Sequence, residues 1–168
     1  MLAVYLQKLE IFTAAPYETN IGKILQGEDR ISPKVRKVLD IVKDHIEEDI
    51  PGKIIIYCQN IAVAEAIYKA SKLPEYNLQE SGILYKAAEK YIHIDKFEKE
   101  DSKKWMVGVE TSMNTGLNLQ MASRLIRIQY TWTPGSLEQG NSRINRPQLK
   151  KSEERANIYF DWIVASRT

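Results

Sequence analysis

Lys53-Ile54-Ile55-Ile56-Tyr57-Cys58-Gln59-Asn60 is the stretch that decides the fold. From Ile54 to Cys58 every side chain is apolar or aromatic, with none of the alternation that would give one face to water. Such a run belongs in the middle of a sheet covered on both sides. Gln59-Asn60 ends it, and a helix follows through Ala62, Ala66, Ile67 and Lys69. A strand that leaves its sheet into a helix begins a crossover unit, and crossover units build parallel sheets.

The pattern repeats on either side. Upstream, Ser32-Pro33-Lys34 opens a helix, with Ser as N-cap and Pro in the first turn. Val35, Val38, Leu39, Val42 and Ile46 fall at helical spacing, and 49–52 ends the helix. Downstream come a strand at 82–85, a helix over 88–99 with Ile92, Ile94 and Phe97 inward, and a strand at 105–109. Further strands are expected at 125–130, separated from the strand at 105–109 by a polar loop from Thr111 to Asn118, and at 156–160. Residues 5–15 fit a short amphipathic helix and 16–30, with Gly22 and Gly27, a connecting segment. The expected division is therefore 1–31, N-terminal helix and connector, and 32–168, one α/β domain with a mainly parallel central sheet flanked by helices. Open sheets of this kind bind ligands beyond the C-terminal strand ends. Gln59-Asn60, the Thr111–Asn118 loop and Thr131–Pro134 all emerge there.

Composition narrows the function. A formal charge of +2 over 168 residues leaves no global basic footprint, so nucleic-acid binding would need a local patch. The single Cys58 excludes an internal disulfide and fits a reducing cytosol, and with only His45 and His93 beside it a Cys/His zinc cluster is implausible. The first eight residues lack the basic leader and apolar run expected of a signal peptide. No apolar stretch approaches the roughly 18–20 residues of a membrane span.

The chemistry-bearing segment lies near the C-terminus, where Gln139, Arg143 and Arg146 follow an apolar strand at a spacing that puts all three on one helical face. Two guanidiniums on one stripe suit phosphate oxygens, although alone they fit a solvated basic face equally well. Glu110-Thr111-Ser112-Met113-Asn114-Thr115-Gly116-Leu117-Asn118-Leu119 offers hydroxyls and a glycine that can cradle a phosphate, and alone also reads as a plain turn. Trp132 and Pro134 fit packing roles. His93 is expected on a helix without a partner, Tyr57 and Cys58 in a buried strand, and Glu47-Glu48 and Glu153-Glu154 in solvent. Neither Gly22-Lys23 nor Gly52-Lys53 has the surroundings of a Walker loop, so this stretch of chain does not hold a nucleoside triphosphate in the standard manner.

Together these pieces resemble the second RecA-like lobe of superfamily-two helicases, closest to the Swi/Snf-type DNA translocases. Trp132-x-Pro134 with Gln139-x-x-x-Arg143-x-x-Arg146 is similar to motif VI and its preceding Trp-Asn-Pro. Gly116-Leu117-Asn118-Leu119 is similar to the end of motif V, Ile54 to Asn60 to motif IV, and Lys34 to Leu39 to the opening of the lobe. The similarity runs from Ser32 to Phe160. Thr133 in place of Asn, and Asn141-Ser142 before Arg143 where Gly is common, mark a divergent member, of phage type.

The resemblance implies a three-layer RecA-like fold. It implies ATP and Mg2+ held mainly by an N-terminal RecA-like lobe, on the same or a separate chain, with this chain inactive as an ATPase by itself. Arg143 and Arg146 would be the catalytic arginines, and Gln139, Gly116 and Asn118 would line the nucleotide side. Gln59, Asn60, Thr111 and Ser112, with Lys86 and Lys90, would grip one strand of DNA, or of RNA, in a monomeric cytoplasmic protein of prokaryotic or phage-infected cells. Two other readings stand beside it. One is a degenerate helicase-like module that binds nucleic acid or protein without ATP chemistry. The other is an unrelated doubly wound domain, such as the nucleotide-sugar half of a glycosyltransferase, which has no need of the Arg143/Arg146 stripe.

Overall fold

The computed structural model describes residues 31–114, 117, 119–129, 134–145 and 157–164. The elements are α1 (Pro33–Glu47), β1 (Lys53–Cys58), α2 (Ile61–Ala70), β2 (Gly82–Leu84), α3 (Lys90–Lys99), β3 (Trp105–Val109), α4 (Glu110–Met113), β4 (Ala122–Arg127), α5 (Pro134–Ile144) and β5 (Tyr159–Trp162). The five strands form one sheet in the order β2-β3-β1-β4-β5, and every pairing is parallel. The fold is a RecA-like α/β domain.

β1 lies at the centre because its residues demand it. Ile54, Ile55 and Ile56 are all 0% exposed, so both faces of the strand are covered. Ile54, Ile56 and Cys58 face one apolar cluster with Val38, Leu39 and Ile67, while Ile55 and Tyr57 face the other with Phe97, Met106, Leu125 and Ile144. Each fully buried side chain of this size contributes about 1.5–3 kcal/mol. Burial pushes the Cys58 thiol pKa up, which keeps it protonated and inert.

α1 starts as its sequence dictates: the Ser32 hydroxyl accepts the Val35 N–H at 3.1 Å, with Pro33 in the first turn. Its last turn buries His45, which pairs through Nε2 with the Gly52 carbonyl at 3.2 Å. Gly52 has φ +93°, and a Cβ there would meet the Ser123 Oγ at 2.5 Å, so both backbone and space require glycine. Burial lowers the His45 pKa below the ordinary 6.5, against the opposing pull of the Gly52 carbonyl, and burial lowers that of His93 likewise. The folded state thus binds protons less readily than the unfolded chain. Stability is expected to be level above pH 6.5 and to fall as pH drops through and below it. Thermal melts across that range check this, and His45→Gln is expected to flatten part of the slope.

Several boundaries differ from the sequence reading. β4 begins at Ala122, three residues before the expected Leu125, because Ser123 and Arg124 have dedicated partners: Ser123 donates to the Pro51 carbonyl at 2.6 Å and Arg124 to Asp161 at 2.7 Å. β5 runs Tyr159–Trp162, later than the expected 156–160, which brings Asp161 to that arginine. The polar loop after β3 opens with the short helix α4. Ile92 is 56% exposed, so α3 turns only Phe97 fully inward. His93 is not alone: its Nδ1 accepts the Lys86 N–H at 3.1 Å, and its Nε2 lies 3.3 Å from Glu89. The expected helix at 5–15 lies outside the described residues. No helix among the described residues is long and apolar enough to cross a membrane.

Candidate nucleotide and nucleic-acid rim

A parallel sheet sends all its strands out at one edge, and there the polar turns gather. Lys86 follows β2, Glu110 opens α4 directly after β3, Gln59 and Asn60 follow β1, and Gln129 follows β4. At about 4.8 Å between neighbouring strands, β2 and β1 stand roughly 10 Å apart, with β3 between them. The candidate nucleic-acid residues thus follow one another along the rim, and α5 lies beside β4 at its far side.

Beneath α5 is a polar cluster whose central pair solvent does not reach. Glu110 and Arg127 are each 1% exposed, and Arg127 Nη2 and Nε reach Glu110 Oε1 at 3.0 and 3.2 Å. Gln59 Nε2 donates to Glu110 Oε2 at 2.9 Å, and the Gln59 backbone N–H donates to Gln129 Oε1 at 2.9 Å. Arg127 Nη1 donates to Asn141 Oδ1 on α5 at 2.8 Å. The guanidinium is flanked by the rings of Tyr57 and Trp162, 5.4 and 5.3 Å away. A buried charge is tolerated only when paired and hydrogen-bonded, and both conditions hold here.

The cluster fixes the seat of α5. A Cβ on Gly140 would lie 2.6 Å from Arg127 Nη2 and 3.0 Å from Glu110 Oε1, so only glycine lets the helix sit this low. Ile144, buried one turn on, anchors the helix end. Gly140, Asn141 and Ile144 therefore face the sheet. Gln139 is left exposed and Arg143 half-buried, on the flank of the helix that meets solvent. Arg143 forms no ion pair with another described residue, yet its charge reaches Tyr57. Burial pushes the Tyr57 hydroxyl pKa upward, and Glu110 adds to this, while Arg127 and Arg143 oppose it.

The other sequence-derived candidates are spread along the rim. Gln59 is half-buried with its amide turned inward on Glu110, and Asn60 is buried at the start of α2. Thr111 is exposed and Ser112 half-buried on α4, and the Ser112 carbonyl accepts from the Tyr85 hydroxyl at 3.4 Å. Lys86 is exposed, and Lys90 rests 5.8 Å from the Tyr91 ring. Arg146, Gly116 and Asn118 lie outside the described residues, as do Trp132 and Thr115. Sequence reasoning missed Glu110, Arg127, Gly140 and Asn141. A signal was present for one pair: an arginine inside Leu125-Ile126-Arg127-Ile128 demands a buried acid, and Glu110 stands at the end of the neighbouring apolar run.

A guanidinium without an internal acid fits phosphate oxygens, the donor set a nucleotide tail requires. No group of three His, Cys, Asp or Glu side chains gathers among the described residues, so this part of the chain offers Mg2+ no carboxylate cage of its own.

Residues 34–148 match the family described as the helicase conserved C-terminal domain. No curated protein matches the sequence. Among solved structures, the Sulfolobus solfataricus SWI2/SNF2 ATPase core in complex with dsDNA aligns with a TM-score of 0.64 at 23% identity, over 96% of this chain and 32% of that one. The C-terminal part of the Fun30 ATPase domain aligns at 0.62 and 15% identity, over 78% of this chain and 40% of that one. T4 UvsW aligns at 0.59 and 9% identity, over 77% and 25%. The chain thus spans well under half the length of each of these three.

Proposed function

Because the chain belongs to the helicase conserved C-terminal domain family, we propose that it acts as the second lobe of an ATP-dependent DNA translocase or helicase. The observation that carries this reading is Arg143: a half-buried guanidinium with no acidic partner among the described residues, on a helix seated by a buried ion pair. A first lobe, on this or another chain, holds ATP, and Mg2+ when bound there draws charge from the phosphates. Closure brings Arg143, with Arg146, to the γ-phosphate, where fixed cationic donors stabilise the charge that develops during transfer. Gln139, exposed one turn before Arg143, faces the nucleotide from the same helix, and Gly116 and Asn118 line the cleft. Gln59, Asn60, Thr111 and Ser112 hold the phosphates of one strand, and Lys86 and Lys90 add charge along the same rim. Backbone contacts of this kind position a duplex and read no sequence, as movement along it requires. The dsDNA complex of the Sulfolobus SWI2/SNF2 core supports DNA as the track.

The test is duplex binding by the chain as salt is varied. Affinity is expected to be weak and to fall steeply with added salt, because each phosphate contact releases counterions. Lys86→Ala and Lys90→Ala are each expected to make that slope shallower by about one contact. Binding that ignores salt would assign the rim to another kind of partner.

A further inference from the structure

We infer that the outer edge of β2 is a docking groove for an extended, acidic segment of a partner protein, which joins the sheet there as a further strand. The inference stands apart from the proposed function, since it uses neither ATP nor a nucleic-acid contact.

β2 ends the sheet on its side and pairs with β3 alone among the described strands. Successive residues of a strand turn their backbone groups to opposite edges. The Trp105 N–H donates to the Ser81 carbonyl and the Tyr85 N–H to the Val107 carbonyl, so residues 81, 83 and 85 face β3. Residues 82, 84 and 86 therefore face outward. The Gly82 N–H is taken by the Gln79 carbonyl at 3.1 Å, and the Lys86 N–H by His93 Nδ1 at 3.1 Å. Between them, the N–H and carbonyl of Leu84 have no partner among the described residues. The outer two donors are closed off internally, and the middle residue keeps both its groups for an incoming strand.

The flanking helices leave this edge open. Tyr68 of α2 and Leu84 pack on one face of the sheet, and Ile83, Tyr85 and Phe97 of α3 on the other. Along the edge lie two cavities, of about 610 and 310 Å³, which share Tyr68, Gly82 and Lys103 as walls. Together they run from Gln79 before β2 to Lys86 after it, which suits an extended segment.

Charge selects the segment. Lys103 lines both cavities, and Lys86 and Lys96 line the smaller one. Against these three stand Glu80 and Glu89, and Glu89 is already held by His93 at 3.3 Å. Lysines at an edge deter an apolar strand, whereas opposite charges across strands favour an acidic one. A nucleic-acid backbone would satisfy the lysines but carries no N–H and carbonyl at strand spacing for Leu84. Side chains of the added strand alternate between the Tyr68 wall and the Lys96 wall, so apolar and acidic residues should alternate along it.

The test is residue-resolved amide exchange on the chain, with an eight-residue peptide of alternating glutamate and valine as the probe. Saturating peptide is expected to slow Leu84 exchange about tenfold, while Ile83 and Tyr85, already bonded to β3, stay unchanged. Lys96→Glu, at an exposed site, is expected to lower peptide affinity about tenfold by turning an attraction into a repulsion. Only one edge of the peptide faces β2, so N-methylation of alternate residues should abolish binding in one set of positions and spare it in the other. No peptide binding, binding with Leu84 exchange unchanged, or equal effects of the two N-methylated sets would overturn strand addition. Slower Leu84 exchange with a thymidine oligonucleotide and not with the peptide would give the groove to nucleic acid and overturn the protein partner.

Discussion

Arg127→Met is expected to destabilise the fold by about 3–5 kcal/mol, because it leaves a carboxylate buried without its cation. Glu110 is 1% exposed and cannot turn to solvent where it stands, and the guanidinium that satisfies it also bonds Asn141. A loss of that size is a large part of the roughly 5–15 kcal/mol that holds an ordinary domain together. Denaturant titration of wild type and variant measures it. Glu110→Gln combined with Arg127→Met removes both charges and is expected to recover most of the loss, since an absent pair costs less than a broken one. A single variant within about 1 kcal/mol of wild type would mean that water enters beneath α5.

The second large effect is kinetic. In this chain joined to a first lobe that binds ATP, Arg143→Ala is expected to lower nucleic-acid-stimulated hydrolysis about 10³-fold, the lower end of what an arginine at a transferring phosphoryl group supplies. Arg143 forms no ion pair among the described residues, so its removal leaves no buried acid stranded and the melting temperature should hold. ATP affinity should change little, because the contribution belongs to the transition state and not to the bound substrate. Arg146→Ala is expected to act in the same direction. Wild-type turnover in both variants would remove the assignment of these arginines.

What could be read from the sequence was whatever depends on near neighbours. The unbroken apolar run of β1 marks a strand covered on both sides wherever it sits, and Ser32-Pro33 starts a helix through contacts within one turn. The gathering of turns at one edge then follows from parallel strands alone. The start of β4 was hidden because Ser123 and Arg124 look like loop residues, and the groups that satisfy them are 72 and 37 positions away. His93 has one partner that spacing alone offers, Glu89 four residues before it, and one that no side-chain pattern reveals, the backbone N–H on its Nδ1.

The candidate site divides the same way. The stripe of Gln139 and Arg143 is a matter of helical spacing, and the structure leaves both off the helix face that packs on the sheet. What seats that helix is not local. Glu110 and Arg127 leave from strands that flank β1 on opposite sides, and Gly140 reads as an ordinary weak point in a helix until the guanidinium under it is seen. Gln59 was read as pointing to a ligand, and its amide instead lies on Glu110 in this structure.

The most direct test of a two-lobed motor is ATP hydrolysis measured with this chain alone, with a first RecA-like lobe alone, and with both together, each with and without duplex DNA. A two-lobed motor gives turnover that needs both lobes and rises with duplex. Equal turnover by the first lobe whether or not this chain is present, or robust turnover by this chain alone, would contradict it.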